Sequence, residues 1–177
     1  MKLAILDRDG VINYDSAAFI KSPDEWRPIP GSLEAITRLN QAGFHVVVAT
    51  NQSGVGRGLF EMATLNAIHD KMHHALADVG GRIDAVFFCP HAQEVGCNCR
   101  KPRAGLLDEI ARRFNVTLEG VPVIGDAQRD LEAAAAVRAR PMLVLTGKGQ
   151  KTKREGNLPP HTEIYASLTA AVDALLQ

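Results

Sequence analysis

The segment Lys2-Leu3-Ala4-Ile5-Leu6-Asp7-Arg8-Asp9-Gly10 passes without a break from four apolar residues into two acids and a glycine. A continuous apolar run describes a strand buried on both faces, and the Asp-Arg-Asp-Gly that ends it describes a loop. The remainder of the chain repeats this grammar. Ser32 follows Pro30 and Gly31, and Leu33, Ile36 and Leu39 recur at helical spacing until Gly43, which predicts a helix capped by Ser32 and stopped by the glycine. Residues 44–49 form a second apolar, β-branched run that ends in the polar turn Thr50-Asn51-Gln52-Ser53-Gly54. Leu65, Ile68, Met72, Leu76 and Val79 mark one face of a longer helix closed by Gly80 and Gly81. Strands over 83–89, 121–125 and 142–146 then alternate with helices over 106–114 and 131–137, and a final helix follows Ser167.

Strands alternating with helices over the whole length predict an α/β fold: a single doubly wound parallel sheet with helices on both faces and right-handed crossovers, one domain over residues 1–177. In such sheets ligands bind beyond the carboxyl ends of the strands, where Asp7, Thr50 and Asp126 all fall. Two segments interrupt the pattern, residues 14–30 and residues 147–160, the latter carrying Lys148, Lys151, Lys153 and Arg154.

Composition agrees with this class. The 177 residues are 46% hydrophobic and 23% charged, which excludes a disordered or collagen-like chain. Twenty Lys plus Arg balance twenty Asp plus Glu, so no net positive field draws nucleic acid or an anionic membrane, and an anionic partner must be caught by local geometry. The N-terminus reaches Asp7 too soon for a signal peptide, and no apolar run approaches the roughly 20 residues of a membrane span. A cytoplasmic protein is expected, monomeric and without membrane or nucleic-acid partners. Three cysteines cannot all pair within one chain, which points to a reducing compartment or to a metal.

Two carboxylates one residue apart, Asp7 and Asp9, repel each other when both are ionised unless a cation sits between them. Such a pair supplies a nucleophile and a proton donor, and Gly10 lets the backbone turn sharply after them. The pattern resembles the haloacid dehalogenase-like (HAD) phosphatases, whose four motifs occur here in order over essentially the full length. Asp7 and Asp9 match the Asp-x-Asp motif, Thr50 the Ser/Thr that ends the second strand, Lys101 the phosphate-binding lysine, and Asp126 of Gly125-Asp126-Ala127-Gln128-Arg129-Asp130 the acidic motif. The resemblance implies Asp7 as the nucleophile and Asp9 as the general acid and base, with Thr50 and Lys101 holding the phosphoryl oxygens. It also implies Mg²⁺ on Asp7, Asp126 and the backbone carbonyl of Asp9, since hard oxygen donors select that ion. Asp130 reads best as a first-turn helix acid interacting with the dipole. Competing phosphate motifs are missing: the chain has no G-x-x-x-x-G-K-[ST], and Gly54-Val55-Gly56-Arg57-Gly58 lacks the dinucleotide spacing.

A second constellation lies in the loop 89–99, where all three cysteines, Cys89, Cys97 and Cys99, stand with His91. This is the donor set of a closed, structural tetrahedral zinc site, and Arg100 and Lys101 follow it directly. The loop resembles the capless HAD branch that holds the heptose-1,7-bisphosphate 7-phosphatases and the histidinol-phosphate phosphatases, and no sequence remains for a cap domain. Ser53, within the 50–58 stretch, resembles the heptose enzymes, whereas histidinol phosphatases tend to carry Asp there. That likeness implies a small sugar bisphosphate substrate on the route to the lipopolysaccharide inner-core heptose. It implies contacts from Asp15, Ser16, Ala17, Ala18, Thr50, Asn51, Gln52 and Ser53, with Arg100 at the second charged end. Ala127 stands where the heptose enzymes can carry a basic residue after the acidic motif. Histidinol phosphate, and a catalytically degenerate zinc-stabilised binding module, remain as alternatives.

Three further signals are weighed against ordinary packing. His69 and His73 stand four apart on the long helix with His74 beside them, and Asp70 occupies the place of a zincin's catalytic Glu, so a polar helix face is expected. The run from Lys148 to Arg154 has no interleaved aromatic for base stacking and reads as a solvated loop. Trp26 reads equally as a wall of the sugar pocket or as packing.

Overall fold

A computed structural model describes residues 1–177. Six strands, β1 (Lys2–Leu6), β2 (Phe44–Asn51), β3 (Ala85–Cys89), β4 (Pro122–Gly125), β5 (Arg140–Val144) and β6 (Glu163–Tyr165), form one sheet in the order β3-β2-β1-β4-β5-β6. Every neighbouring pair is parallel. The helices are α1 (Ser32–Gln41), α2 (Ser53–Gly56), α3 (Met62–Asp78), α4 (Gly105–Phe114), α5 (Gln128–Ala136), α6 (Gly149–Glu155) and α7 (Leu168–Leu175).

The doubly wound expectation is met, and the pleat explains why. Alternate strand residues feed two separate cores. Ala4, Leu6, Val46, Val48, Ile124, Met142 and Val144 face α1, α3 and α7, while Leu3, Ile5, Val47, Ala49 and Val123 face α4 and α5. Because both faces are covered, the strands read as continuous apolar runs. The order reverses at β1, whose neighbours are β2 and β4, so the carboxyl end of β1 opens into the switch-point crevice and delivers Asp7 there.

Local readings differ in four places. Ser32 is the first helical residue and no cap; its Oγ donates to the Val11 carbonyl at 2.8 Å, and Gly31, at φ 87°, precedes the helix. The real side-chain cap is Ser167, whose Oγ accepts from the Ala170 N–H. The basic stretch after Gly147 is the helix α6, tied down because Thr152 donates its hydroxyl to the Asp126 carbonyl at 2.7 Å. Strand β6 has only three residues, too few for an alternation to register. Trp26 has no exposed surface and belongs to the core under α1 and α3, with Lys71 Nζ donating to its carbonyl, so it lines no sugar pocket.

Candidate active site and metal-binding loop

Asp7 follows β1, Thr50 lies near the end of β2, and Asp126 follows β4. With Asp9, Asn51, Gln52, Ser53 and Arg100 they line one cavity of about 230 Å³. Asp15, Ser16 and Ala17 close its outer side; Ala18 does not line it, and Phe19 and Ile20 stand there instead.

Lys101 reaches this cluster from below. Its ammonium, 3% exposed, donates to the Ala49 carbonyl at 2.7 Å and lies 2.6 Å from Asp130 Oδ1 and 3.2 Å from Asp7 Oδ1. Burial disfavours the ammonium, yet Asp130 and Asp7 hold its pKa above the ordinary lysine value. Asn51 fixes the lysine's backbone from both sides: its Nδ2 donates to the Lys101 carbonyl at 3.1 Å and its Oδ1 accepts the Lys101 N–H at 3.0 Å. Asp130 is therefore a buried partner of the site lysine and no surface helix acid; its Oδ2 also accepts the Ala127 N–H at 3.1 Å.

Asp7, Asp126 and Asp130 bring carboxylate oxygens within 4.8 Å of one another, all buried. Burial first and the Asp130 charge second push Asp7 up to about 6 against the pull of Lys101. Burial and then Asp7 and Asp130 push Asp126 up to about 8. Lys101 neutralises Asp130, so Asp7 and Asp126 remain as hard oxygen donors that repel one another until a cation joins them, and this set fits a divalent ion such as Mg²⁺. The backbone is cut to admit Asp126. Gly10 (φ +84°) and Gly147 (φ +55°) press on either side of its carboxylate, and a Cβ on either glycine would come within 2.3 Å of Asp126 Oδ2. The Lys148 N–H donates to that same oxygen at 2.8 Å, and Lys148 Nζ lies 3.4 Å from Asp15 Oδ2, which joins α6 to the cavity rim.

Asp9 is held differently. Burial would raise it, but the Arg8 guanidinium, together with Asn13 and Gln52, holds it below the ordinary carboxylate range. Gln52 Nε2 donates both to Asp9 Oδ2 (3.1 Å) and to Thr50 Oγ1 (3.0 Å), linking the ends of β1 and β2.

Two residues that the reading along the chain left out belong here. Arg129 lines the cavity from the start of α5, and Asp130 and Asp7 keep its guanidinium strongly charged despite burial. Arg8 is fully buried and lies 3.1 Å from His69 Nε2. His69 is thus no part of a polar face. It stands four residues after Leu65 and three before Met72, within their apolar stripe, and that spacing alone marks it as buried.

Beside the cavity, Cys89 Sγ, Cys97 Sγ, Cys99 Sγ and His91 Nδ1 lie within 4.8 Å of one another. Their sulfurs stand 2.9, 3.5 and 3.6 Å apart, too far for a disulfide bond of about 2.05 Å, and all three cysteines are free. Three soft sulfurs and an imidazole converging on one point fit a tetrahedral zinc ion. Arg103 staples the loop by donating to the Gly96 and Cys97 carbonyls at 2.7 Å each. Arg100 and Arg129 stand between the first cavity and a second of about 430 Å³, whose wall also holds Arg103. No helix is long and apolar enough to cross a membrane.

The HAD-hydrolase-like family model matches residues 98–171. The chain is 60% identical, over its whole length and 99% of the relative, to the D-glycero-β-D-manno-heptose-1,7-bisphosphate 7-phosphatase of Bordetella bronchiseptica, and 50% identical to that of Pseudomonas aeruginosa over 99% of this chain and 98% of the relative. A crystal structure of the B. bronchiseptica D,D-heptose 1,7-bisphosphate phosphatase, complexed with magnesium and phosphate, superposes with a TM-score of 0.99 over 100% of this chain and 99% of that one. The Burkholderia thailandensis D,D-heptose 1,7-bisphosphate phosphatase, 54% identical, superposes at 0.81 over 100% of this chain and 99% of that one.

Proposed function

Because the chain belongs to the D-glycero-β-D-manno-heptose-1,7-bisphosphate 7-phosphatase family, we propose that it hydrolyses the C7 phosphate of that sugar through an aspartyl-phosphate on Asp7. The carrying observation is the buried meeting of Asp7, Asp126 and Lys101 at the switch point, with Asp9 on the same loop.

An Asp7 carboxylate oxygen attacks phosphorus, the bond from phosphorus to the C7 oxygen breaks, and Asp9 delivers a proton to the departing oxygen. Water then attacks the phosphoryl group and gives its proton to Asp9, the bond to Asp7 breaks, and phosphate leaves. A carboxylate held low is a ready base for the second step, and an arriving phosphate dianion raises its proton affinity for the first. Lys101 and the Thr50 hydroxyl hold phosphoryl oxygens in line. The carboxylates of Asp7 and Asp126 and the backbone carbonyl of Asp9 would hold Mg²⁺, which when bound neutralises the charge that a dianion meets beside two acids. Cys89, His91, Cys97 and Cys99 would hold a structural Zn²⁺.

Asp15, Ser16, Ala17, Asn51, Gln52 and Ser53 border the sugar, and Arg100 meets its second phosphate. The β-anomer of the heptose bisphosphate is expected to be turned over with a kcat/KM at least about 100-fold above that of histidinol phosphate, which offers no second phosphate to Arg100. Steady-state kinetics on both heptose anomers and on histidinol phosphate check this, and a preference for histidinol phosphate overturns the substrate assignment.

The raised acids set a pH dependence for the metal. Below about 8 Asp126 carries a proton in the metal-free protein, and below about 6 Asp7 does too. Mg²⁺ must displace those protons, so its affinity falls as the pH drops from 8 towards 6, by up to about tenfold per unit for each proton displaced. Calorimetric titration in buffers of different ionisation enthalpy is expected to detect proton release at pH 7.

A further inference from the structure

Arg8 is a guanidinium with none of its surface exposed, and a buried charge must find its partners within the protein. Its donors are divided between two tasks. Nε and Nη2 lie 2.9 and 2.8 Å from Asp9 Oδ1, and Nη2 also reaches Gln52 Oε1 at 3.4 Å. Nη1 lies 3.1 Å from the Nε2 of His69, a buried residue of α3. Burial and the Arg8 charge push the imidazole down to about 3, so it is neutral and presents Nε2 as an acceptor.

This arrangement makes the two oxygens of Asp9 unequal. Oδ1 accepts from Arg8 Nε, Arg8 Nη2 and Asn13 Nδ2 (2.9 Å), which fills it, whereas Oδ2 accepts only from Gln52 Nε2 at 3.1 Å. We propose that His69 is a positioning residue for the phosphatase reaction: by accepting from Arg8 it locks the guanidinium against Asp9 Oδ1 and leaves Asp9 Oδ2 as the oxygen that gives and takes the proton. This rests on the assignment of Asp9 as the general acid and base. The proton passes from Asp9 Oδ2 to the C7 oxygen and returns from the attacking water to the same oxygen, with no co-reactant. Without an acceptor at position 69 the guanidinium swings towards whichever partner remains, and the carboxylate loses its fixed orientation; misplacement of a catalytic group by an ångström is costly.

The test compares His69→Met with His69→Gln, two side chains of nearly equal shape of which only the second carries a strong acceptor. Each is assayed on the heptose bisphosphate, whose alkoxide leaves poorly, and on p-nitrophenyl phosphate, whose phenolate leaves without a proton. His69→Met is expected to lose about tenfold in kcat/KM on the sugar and less than about twofold on the aryl ester, while His69→Gln stays within about threefold of the parent on both. Arg8→Lys, which keeps a charge beside Asp9 but cannot also span to His69, is expected to show the same selective loss and stands in if the Met variant fails to fold. Equal losses on the two esters, or Met and Gln variants that behave alike, overturn the inference. Asp9→Ala is the reference: if it shows no selective loss on the sugar, the acid and base assignment itself fails, and if it does while His69→Met does not, only the role of His69 fails.

Discussion

Asp7→Asn is expected to keep the fold and lower kcat by about 10⁴-fold or more, the scale seen when a covalent nucleophile is removed. The amide is nearly isosteric with the carboxylate, so the cavity keeps its shape, but it cannot form the aspartyl-phosphate and leaves water to attack phosphorus unaided. The fold survives because the burden on Asp7 runs the other way. Its proton affinity is raised because burial and Asp130 disfavour its charge, so a neutral amide at this position relieves repulsion with Asp126 and Asp130. Lys101 keeps its closer partner, Asp130, at 2.6 Å. Phosphate release and a thermal melt on the same preparation check both halves. Turnover above about 1% of the parent, with the fold intact, sinks Asp7 as the nucleophile.

Cys99→Ser is expected to abolish zinc binding, to cost about 3 kcal/mol of stability, and to lower kcat/KM more than tenfold. A structural zinc contributes its binding energy directly to the folded state, and in a domain of this size 3 kcal/mol moves the melting temperature by about 6–12 °C. The functional loss follows from the chain path. Cys99 is the last member of the cluster and is followed at once by Arg100, which lines the cavity, and Lys101, whose ammonium sits on Asp7. Gly105, which opens α4, bonds back from its N–H to the Asn98 carbonyl at 3.0 Å, so a loosened loop also frees the start of that helix. Metal content by atomic absorption, melting temperature and kcat/KM together decide the matter. Loss of zinc with stability and activity both unchanged separates the loop from catalysis.

Much of this site was legible along the chain because of how parallel sheets are built. A strand buried on both faces is an apolar run, and any polar residue that ends it must sit at the carboxyl edge. That placed Asp7, Thr50 and Asp126 together with no knowledge of distance, and the structure brings all three to one cavity. The Cys and His cluster was legible for a different reason: its four donors lie within one short loop, so chain connectivity alone holds them close.

The residues that were not legible are those whose role depends on a partner far away along the chain. Arg8 and His69 are 61 positions apart, and nothing local in either announces the other. The apolar stripe of α3 marks His69 as buried, but only the packing of α3 against the loop after β1 decides that it faces a guanidinium. Asp130 looked like an ordinary first-turn acid because helix propensity and dipole account for it fully; its ion pair with Lys101 exists only once the start of α5 and the loop after the cysteines meet beside Asp7. The amino-acid order by itself determined five of the six strands, their burial on both faces, the edge where chemistry gathers and the soft metal donors, since each follows from periodicity or short spacing. Tertiary structure alone decided which charges are buried, which are paired and which oxygen of Asp9 is left open, because desolvation and Coulomb energy depend on distances through space that no spacing along the chain encodes.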